Sequence, residues 1–260
     1  MLRLPPLPIA LARVKGLTHR TNKTPCQDFG AWTYQRAPYP ALIVALADGA
    51  GSAAFSAEGA YLTVQKTLLF FKDFLKSPLS LSPSILKTAG ESLINEIQLL
   101  LKLKAFLKKK PLEAFATTLL VFIATSKGYA FFQIGDGFCV IRRRHSSDYT
   151  LLLPPQKGEH INETNFITTE NAIHSLSISF ETELPAFLAL STDGIENVAL
   201  KNTSFMPYLP FFKPLESFIT SEKETPSEKL LAFLSSPRFD QRSFDDRTLF
   251  LASFDENFFP

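Results

Sequence analysis

The stretch Ala41-Leu42-Ile43-Val44-Ala45-Leu46-Ala47-Asp48-Gly49-Ala50-Gly51-Ser52 decides the fold. Its apolar run has the length of a buried strand and falls far below the ~20 residues that span a bilayer. The run empties into a carboxylate and then a glycine-rich turn, which sets Asp48 on the rim of a sheet. Related acidic motifs follow in a fixed order: Gln27-Asp28 before it, then Gly135-Asp136-Gly137, Ser191-Thr192-Asp193-Gly194-Ile195-Glu196 and Asp245-Asp246-Arg247-Thr248. Almost every one sits at the end of an apolar, β-branched or aromatic run. Carboxylates converging from separate strand ends repel one another, and a bound hard cation makes such a cluster tolerable.

Working outward, Gly30–Trp32 reads as a strand paired with Ala41–Ala47 across a loop holding Pro38 and Pro40. Ala57, Tyr61, Val64, Leu68, Phe71 and Leu75 recur at helical spacing, which predicts an amphipathic helix ending before Pro78, with Ser52 as its cap. Ser82-Pro83 opens a second helix whose apolar face carries Leu86, Leu93, Ile97, Leu100 and Leu101 and which ends at Lys108-Lys109-Lys110-Pro111, read as a solvated basic end. Phe115–Thr125, Tyr129–Arg142, Tyr149–Leu153, Leu176–Phe180, Phe187–Leu190 and Arg247–Ala252 read as strands, and residues 196–236 as a Pro-broken helical insertion. Long helices between strand runs give an α+β sandwich with helices packed over sheets.

The chain's 260 residues carry 27 basic and 25 acidic side chains, a formal net charge of +2. This balance gives no argument for nucleic acid or an anionic membrane as a partner, so any such preference has to be local. Cys26 and Cys139 form no zinc-like or redox spacing, and so few cysteines fit a reducing, cytoplasmic setting. Pro5, Pro6 and Pro8 interrupt the apolar stretch that a signal peptide requires. The expected organisation is one domain over residues 1–260 with its core at about 13–253. The abundance of Phe and Leu is read as core filling rather than as an exposed docking patch.

On these ordered motifs the chain resembles the metal-dependent protein serine/threonine phosphatases of the type 2C, or PPM, family. The likeness is to a bacterial branch with His19-Arg20, Pro25-Cys26-Gln27-Asp28 and a mid-chain signature of Glu159, Asn162, Glu163, Thr164 and Phe166. The resemblance implies a four-layer αββα sandwich with two central, mostly antiparallel sheets. It implies two Mn²⁺ or Mg²⁺ ions, with Asp48 bridging both, Gly49 offering its carbonyl, and Asp193 and Asp245 on the ion not shared through Gly49. Asp28 matches the acidic residue of the first motif, and Asp136 resembles the ligand of a third, weaker ion. Oxygen-only donors independently favour Mg²⁺ or Mn²⁺ over zinc or copper. Two such ions ~3.5–4 Å apart acidify a bridging water and neutralise phosphoryl oxygens during in-line attack.

Three departures bear on the chemistry. Lys23, a candidate for substrate phosphate binding, stands where many relatives place a phosphate-clamping Arg; a Lys can neutralise phosphate but cannot supply a bidentate fork. Gln27 stands for Glu, and Ala50 removes the His that follows Asp-Gly in eukaryotic relatives. Arg20 and His19 are therefore the candidates for phosphate binding and general-acid work. Cys26 lacks the Gly-rich loop and following Arg of a nucleophilic phosphatase. Thr117 and Thr118 are expected to pack the sheet near the ions, His160 to lie in a surface loop, and Arg142–His145 to form a water-exposed basic hairpin end. The expected partners are a phosphoprotein substrate and a cognate Ser/Thr kinase. Two other readings stay open: a phosphoprotein-binding pseudophosphatase, and a phosphomonoesterase for small metabolites with the same metal centre.

Overall fold

The computed structural model describes residues 7–77, 82–157, 164–201, 204–256, 258 and 259. In chain order they form β1 (Ile9–Val14), α1 (Leu17–Thr21), β2 (Phe29–Gln35), β3 (Ala41–Ala47), α2 (Ser56–Phe74), α3 (Pro83–Lys108), β4 (Leu119–Thr125), β5 (Gly128–Ile134), β6 (Phe138–Arg142), β7 (Tyr149–Leu151), β8 (Ser177–Glu181) and β9 (Phe187–Ser191). Then come α4 (Glu196–Ala199), β10 (Leu200–Lys201), β11 (Met206–Pro207), α5 (Leu209–Ser221), α6 (Pro226–Leu234), α7 (Pro237–Asp240) and β12 (Arg247–Ser253).

Two five-stranded antiparallel sheets run β2-β3-β4-β5-β8 and β1-β12-β9-β6-β7. Side-chain alternation explains why they stack. In β3 and β4, Leu42, Val44, Leu46, Leu120 and Phe122 join Cys139, Leu188, Leu190 and Phe250 of the other sheet in one shared core. The intervening Ile43, Val121 and Ile123 face the opposite way, against Phe71 of α2 and Leu93, Ile97 and Leu101 of α3. On the far side, Val140, Ala189, Leu249 and Leu251 meet Phe212, Leu215 and Ile219 of α5 and Leu230 and Leu234 of α6. The result is the expected four-layer αββα sandwich. Phe71 is fully buried with its ring 5.2 Å from that of Phe132. Phe71→Ala is therefore expected to destabilise the fold by about 3–5 kcal/mol in urea unfolding, the usual cost of removing a core aromatic.

Several sequence readings need correction. Tyr129–Arg142 is two strands in different sheets, because Gly135, at φ +109°, turns the chain from one sheet to the other. Phe115 belongs to a 3₁₀ turn over Leu112–Phe115, so β4 starts only at Leu119. Ser52 is exposed and does not cap α2, which starts at Ser56 behind Phe55. β1, which was not anticipated, is held by β12, a partner more than 230 residues away. The insertion is helical as expected and adds the small β10-β11 hairpin. Ser82 does cap α3, accepting the Ile85 N–H at 3.4 Å, with Pro83 in its first turn.

Candidate metal and active centre

The carboxylates arrive at one edge of the sandwich from both sheets. β3 delivers Asp48, whose N–H donates to the Thr118 hydroxyl (2.9 Å) and whose carbonyl accepts from the Thr117 hydroxyl (2.8 Å) and the Thr118 N–H (2.8 Å). The two threonines thus fix the backbone at Asp48 as well as packing the sheet. Gly49 must be glycine here, since a Cβ would lie 2.7 Å from the Ser56 backbone. Asp28 stands just before β2, buried, with Oδ2 accepting from the hydroxyls of Thr192 (2.8 Å) and Thr248 (2.7 Å). Asp193 follows β9, Asp136 sits in the turn between β5 and β6, and Asp245 lies exposed ahead of β12.

Electrostatics tie these groups together. Burial pushes Asp28 up to about 7, against the pull of the Thr248 and Thr192 hydroxyls. Asp48 is raised well above the usual carboxylate range by burial and then by the charges of Asp28, Asp193 and Asp245. Asp193 is raised in the same way by burial and by Asp136, Asp245, Asp28 and Glu196. Asp136 is also raised by burial, although it accepts a hydrogen bond from the Thr164 hydroxyl at 2.9 Å. Asp28 Oδ1 and Asp193 Oδ1 are buried without a hydrogen-bond partner. Mutually repelling carboxylates with orphaned buried oxygens match what hard divalent ions require, so this donor set fits Mg²⁺ or Mn²⁺.

Sequence reasoning passed over two acidic residues. Glu196 adds its charge to Asp193 and pairs with Lys157 at 2.7 Å; it closes the quoted Ser191–Glu196 motif, which was the available signal. Asp246 is buried where its neighbour Asp245 is exposed. Its oxygens accept from Gly16 N–H (2.7 Å) and Gln27 N–H (2.6 Å), and Oδ2 lies 2.9 Å from His19 Nδ1. Burial pushes the Asp246 carboxyl up, but the contacts with Gly16, His19 and Gln27 outweigh it and hold the group below its ordinary value. Ligand atoms of His19, Asp245 and Asp246 lie within 4.8 Å of one another, which puts the imidazole at the edge of the acidic cluster.

Neither Arg20 nor Lys23 forms an ion pair with these carboxylates among the described residues. Arg20 gives its guanidinium to Asp240, which also accepts from the buried Arg247 at 2.6 Å. Lys23 is exposed in a left-handed conformation, φ +55°. Gln27 is buried, its carbonyl accepting from Gly49 N–H at 3.1 Å, and Ala50 N–H donates to the Ala116 carbonyl. Burial strongly raises the Cys26 thiol, which suits a structural rather than a nucleophilic role. Arg142 and Arg143 are not a free basic patch: the first forks onto Glu216 and the second pairs with Glu181. Glu159, His160, Asn162 and Glu163 fall outside the described residues. An apolar groove of about 430 Å³ between α5 and α6, lined by Phe211, Leu215, Phe218 and Phe233, shares no residue with the acidic centre.

A family model described as Protein phosphatase 2C matches residues 15–235. The chain belongs to the protein phosphatase 2C family. It is 33% identical over 252 residues to serine/threonine-protein phosphatase 3 of Escherichia coli (strain K12), a match covering 94% of this chain and 97% of that protein. Among solved structures, the S. agalactiae serine/threonine phosphatase superposes with a TM-score of 0.66 at 17% identity, covering 95% of this chain and 99% of its own. A bacterial serine phosphatase gives 0.67 at 14% identity, with coverage of 96% and 98%. At such identities these two show that the phosphatase 2C fold is shared; the family itself rests on the sequence matches.

Proposed function

We propose that this phosphatase 2C protein hydrolyses phosphoserine and phosphothreonine in protein substrates, opposing a cognate Ser/Thr kinase. The observation that carries the reading is the convergence of Asp28, Asp48, Asp136, Asp193 and Asp245, with two buried carboxylate oxygens left unpartnered. Asp48, the Gly49 carbonyl, Asp193 and Asp245 would hold two Mn²⁺ or Mg²⁺ ions, with Asp136 serving a third, weaker one. Such ions, when bound, neutralise the phosphoryl oxygens and acidify the attacking water. The chain's own residues do the rest. Asp28 stays in place through the Thr192 and Thr248 hydroxyls, and Thr117 and Thr118 fix the Asp48–Gly49 backbone. Lys23 supplies positive charge for the substrate phosphate; Arg20 would do so only by leaving Asp240.

His19 is the proposed general acid for the departing serine or threonine oxygen, the role that Ala50 cannot fill. Asp246 lies beside it, with Oδ2 2.9 Å from Nδ1, a charge contact that favours the protonated imidazole an acid needs. A leaving group of low pKa needs no such proton. His19→Ala is thus expected to slow turnover of a phosphothreonine peptide by about a hundredfold or more. Turnover of p-nitrophenyl phosphate should change far less. Equal losses on both substrates would remove His19 from the proton-transfer role. The same pair of substrates tests the reaction class, because a metabolite phosphomonoesterase would prefer the small ester to the peptide.

A further inference from the structure

The exposed side of α3 carries an apolar ridge that catalysis does not use. Leu99, Leu103, Phe106 and Leu107 are 70%, 55%, 78% and 65% exposed. Their i, i+4, i+7, i+8 spacing puts them on one helical face, opposite the buried Leu93, Ile97, Leu101 and Ala105, and spreads them over about 12 Å of helix. Lys102, Lys104, Lys109 and Lys110 surround the ridge, and none has an ion-pair partner among the described residues, whereas Lys108 is taken by Glu58. The acidic residues of α3 precede the ridge, Glu91 by about two turns and Glu96 by less than one, where Glu96 is neutralised by Lys66 at 2.6 Å; the exposed Glu113 follows the helix. The near-neutral net charge conceals this local excess of unpaired lysine.

We propose that this ridge rests reversibly on an anionic lipid surface, with Phe106 and the three leucines entering the headgroup boundary and the lysines meeting lipid phosphates. Charge and shape favour this occupant. α3 belongs to an outermost layer of the sandwich, and a convex ridge on such a layer can touch a plane without a complementary groove. A second copy fits poorly. Four residues make a small apolar patch beside the roughly 20–30 residues a side and ~800 Å² per partner of a standard interface. An antiparallel two-fold pairing centred on Leu103 would also set Lys102 against Lys104 of the other copy. No described helix is long and apolar enough to cross a membrane, so the contact is a surface one.

The test is cosedimentation of the full chain with vesicles of phosphatidylglycerol and phosphatidylcholine in equal parts, against pure phosphatidylcholine. Binding is expected to the anionic vesicles only and to fall as salt rises. Lys109→Ala with Lys110→Ala should weaken it about thirtyfold, given the usual contribution of a juxtamembrane lysine. Leu103→Glu with Phe106→Glu should weaken it about a hundredfold or more. Both double variants should keep wild-type turnover of a soluble phosphopeptide, which reports folding and separates this proposal from the catalytic one. The proposal is overturned by absence of sedimentation, by equal binding to neutral vesicles, or by unchanged binding of the Leu103/Phe106 variant. A dimer in solution that Leu103→Glu dissociates, without vesicle binding, would assign the ridge to a second copy instead.

Discussion

Asp193→Asn lowers turnover of a phosphothreonine peptide by at least about a hundredfold, because even residues that merely support a metal ligand cost 10–100-fold when replaced. The substitution keeps the side chain's shape and removes its charge. Asp193 is half-buried beside Asp48, Asp136 and Asp245, and its buried Oδ1 has no hydrogen-bond partner. The variant should be at least as stable as wild type without metal, since one member of a repelling set is gone. It should bind Mn²⁺ more weakly in a calorimetric titration. Wild-type turnover by a variant that has lost Mn²⁺ affinity would separate the cluster from the reaction.

Thermal unfolding provides the second large effect. In metal-free protein, Asp28 is raised from its ordinary value to about 7. Between about pH 4 and pH 7 the unfolded chain has lost this proton while the folded protein retains it. This carboxylate therefore contributes a stability that is complete at low pH and declines as pH rises toward 7. Asp48 and Asp193, raised in the same direction, act with the same sign. Divalent ions reverse the penalty, because they bind the ionised groups of the folded state. At a hundredfold excess over the dissociation constant the gain is ~2.7 kcal/mol. For a chain of this size that corresponds to a rise of about 5–10 °C in Tm. The rise should be larger at pH 7.5 than at pH 5.5, where protons compete with the metal. A Mn²⁺-dependent shift that is equal at both values would mean that the ion binds elsewhere.

The legible part of this protein was the part written in local pattern. β3 and its Asp48-Gly49 exit could be read because a fully buried strand is one continuous apolar run, and α2 and α3 because their core faces recur at helical spacing. The clustered aspartates could be read because each follows or precedes a strand at a glycine or polar turn. What stayed hidden depends on partners distant in sequence. β1 is an edge strand whose identity comes from pairing with β12, and a Pro-rich approach masks it. Asp245 and Asp246 look equivalent in the chain, yet Gly16, His19 and Gln27, more than 200 residues away, claim the second and leave the first on the rim. Arg142 read as exposed because Glu216 lies 74 residues on. The abundance of Phe and Leu reads as core filling, yet Leu99, Leu103, Phe106 and Leu107 of α3 are exposed, because composition alone does not tell an inward leucine from an outward one.

We propose that this acidic cluster is a divalent-metal centre for phosphoprotein hydrolysis. The most direct measurement is phosphate release from a phosphothreonine peptide by purified protein in Mn²⁺, in Mg²⁺ and in EDTA, with Asp193→Asn alongside. The expected result is turnover in at least one of the two metals that disappears in EDTA, returns when the metal is restored, and is nearly absent in the variant. Folded protein that releases no more phosphate than Asp193→Asn in either metal, or that works equally well in EDTA, would contradict it.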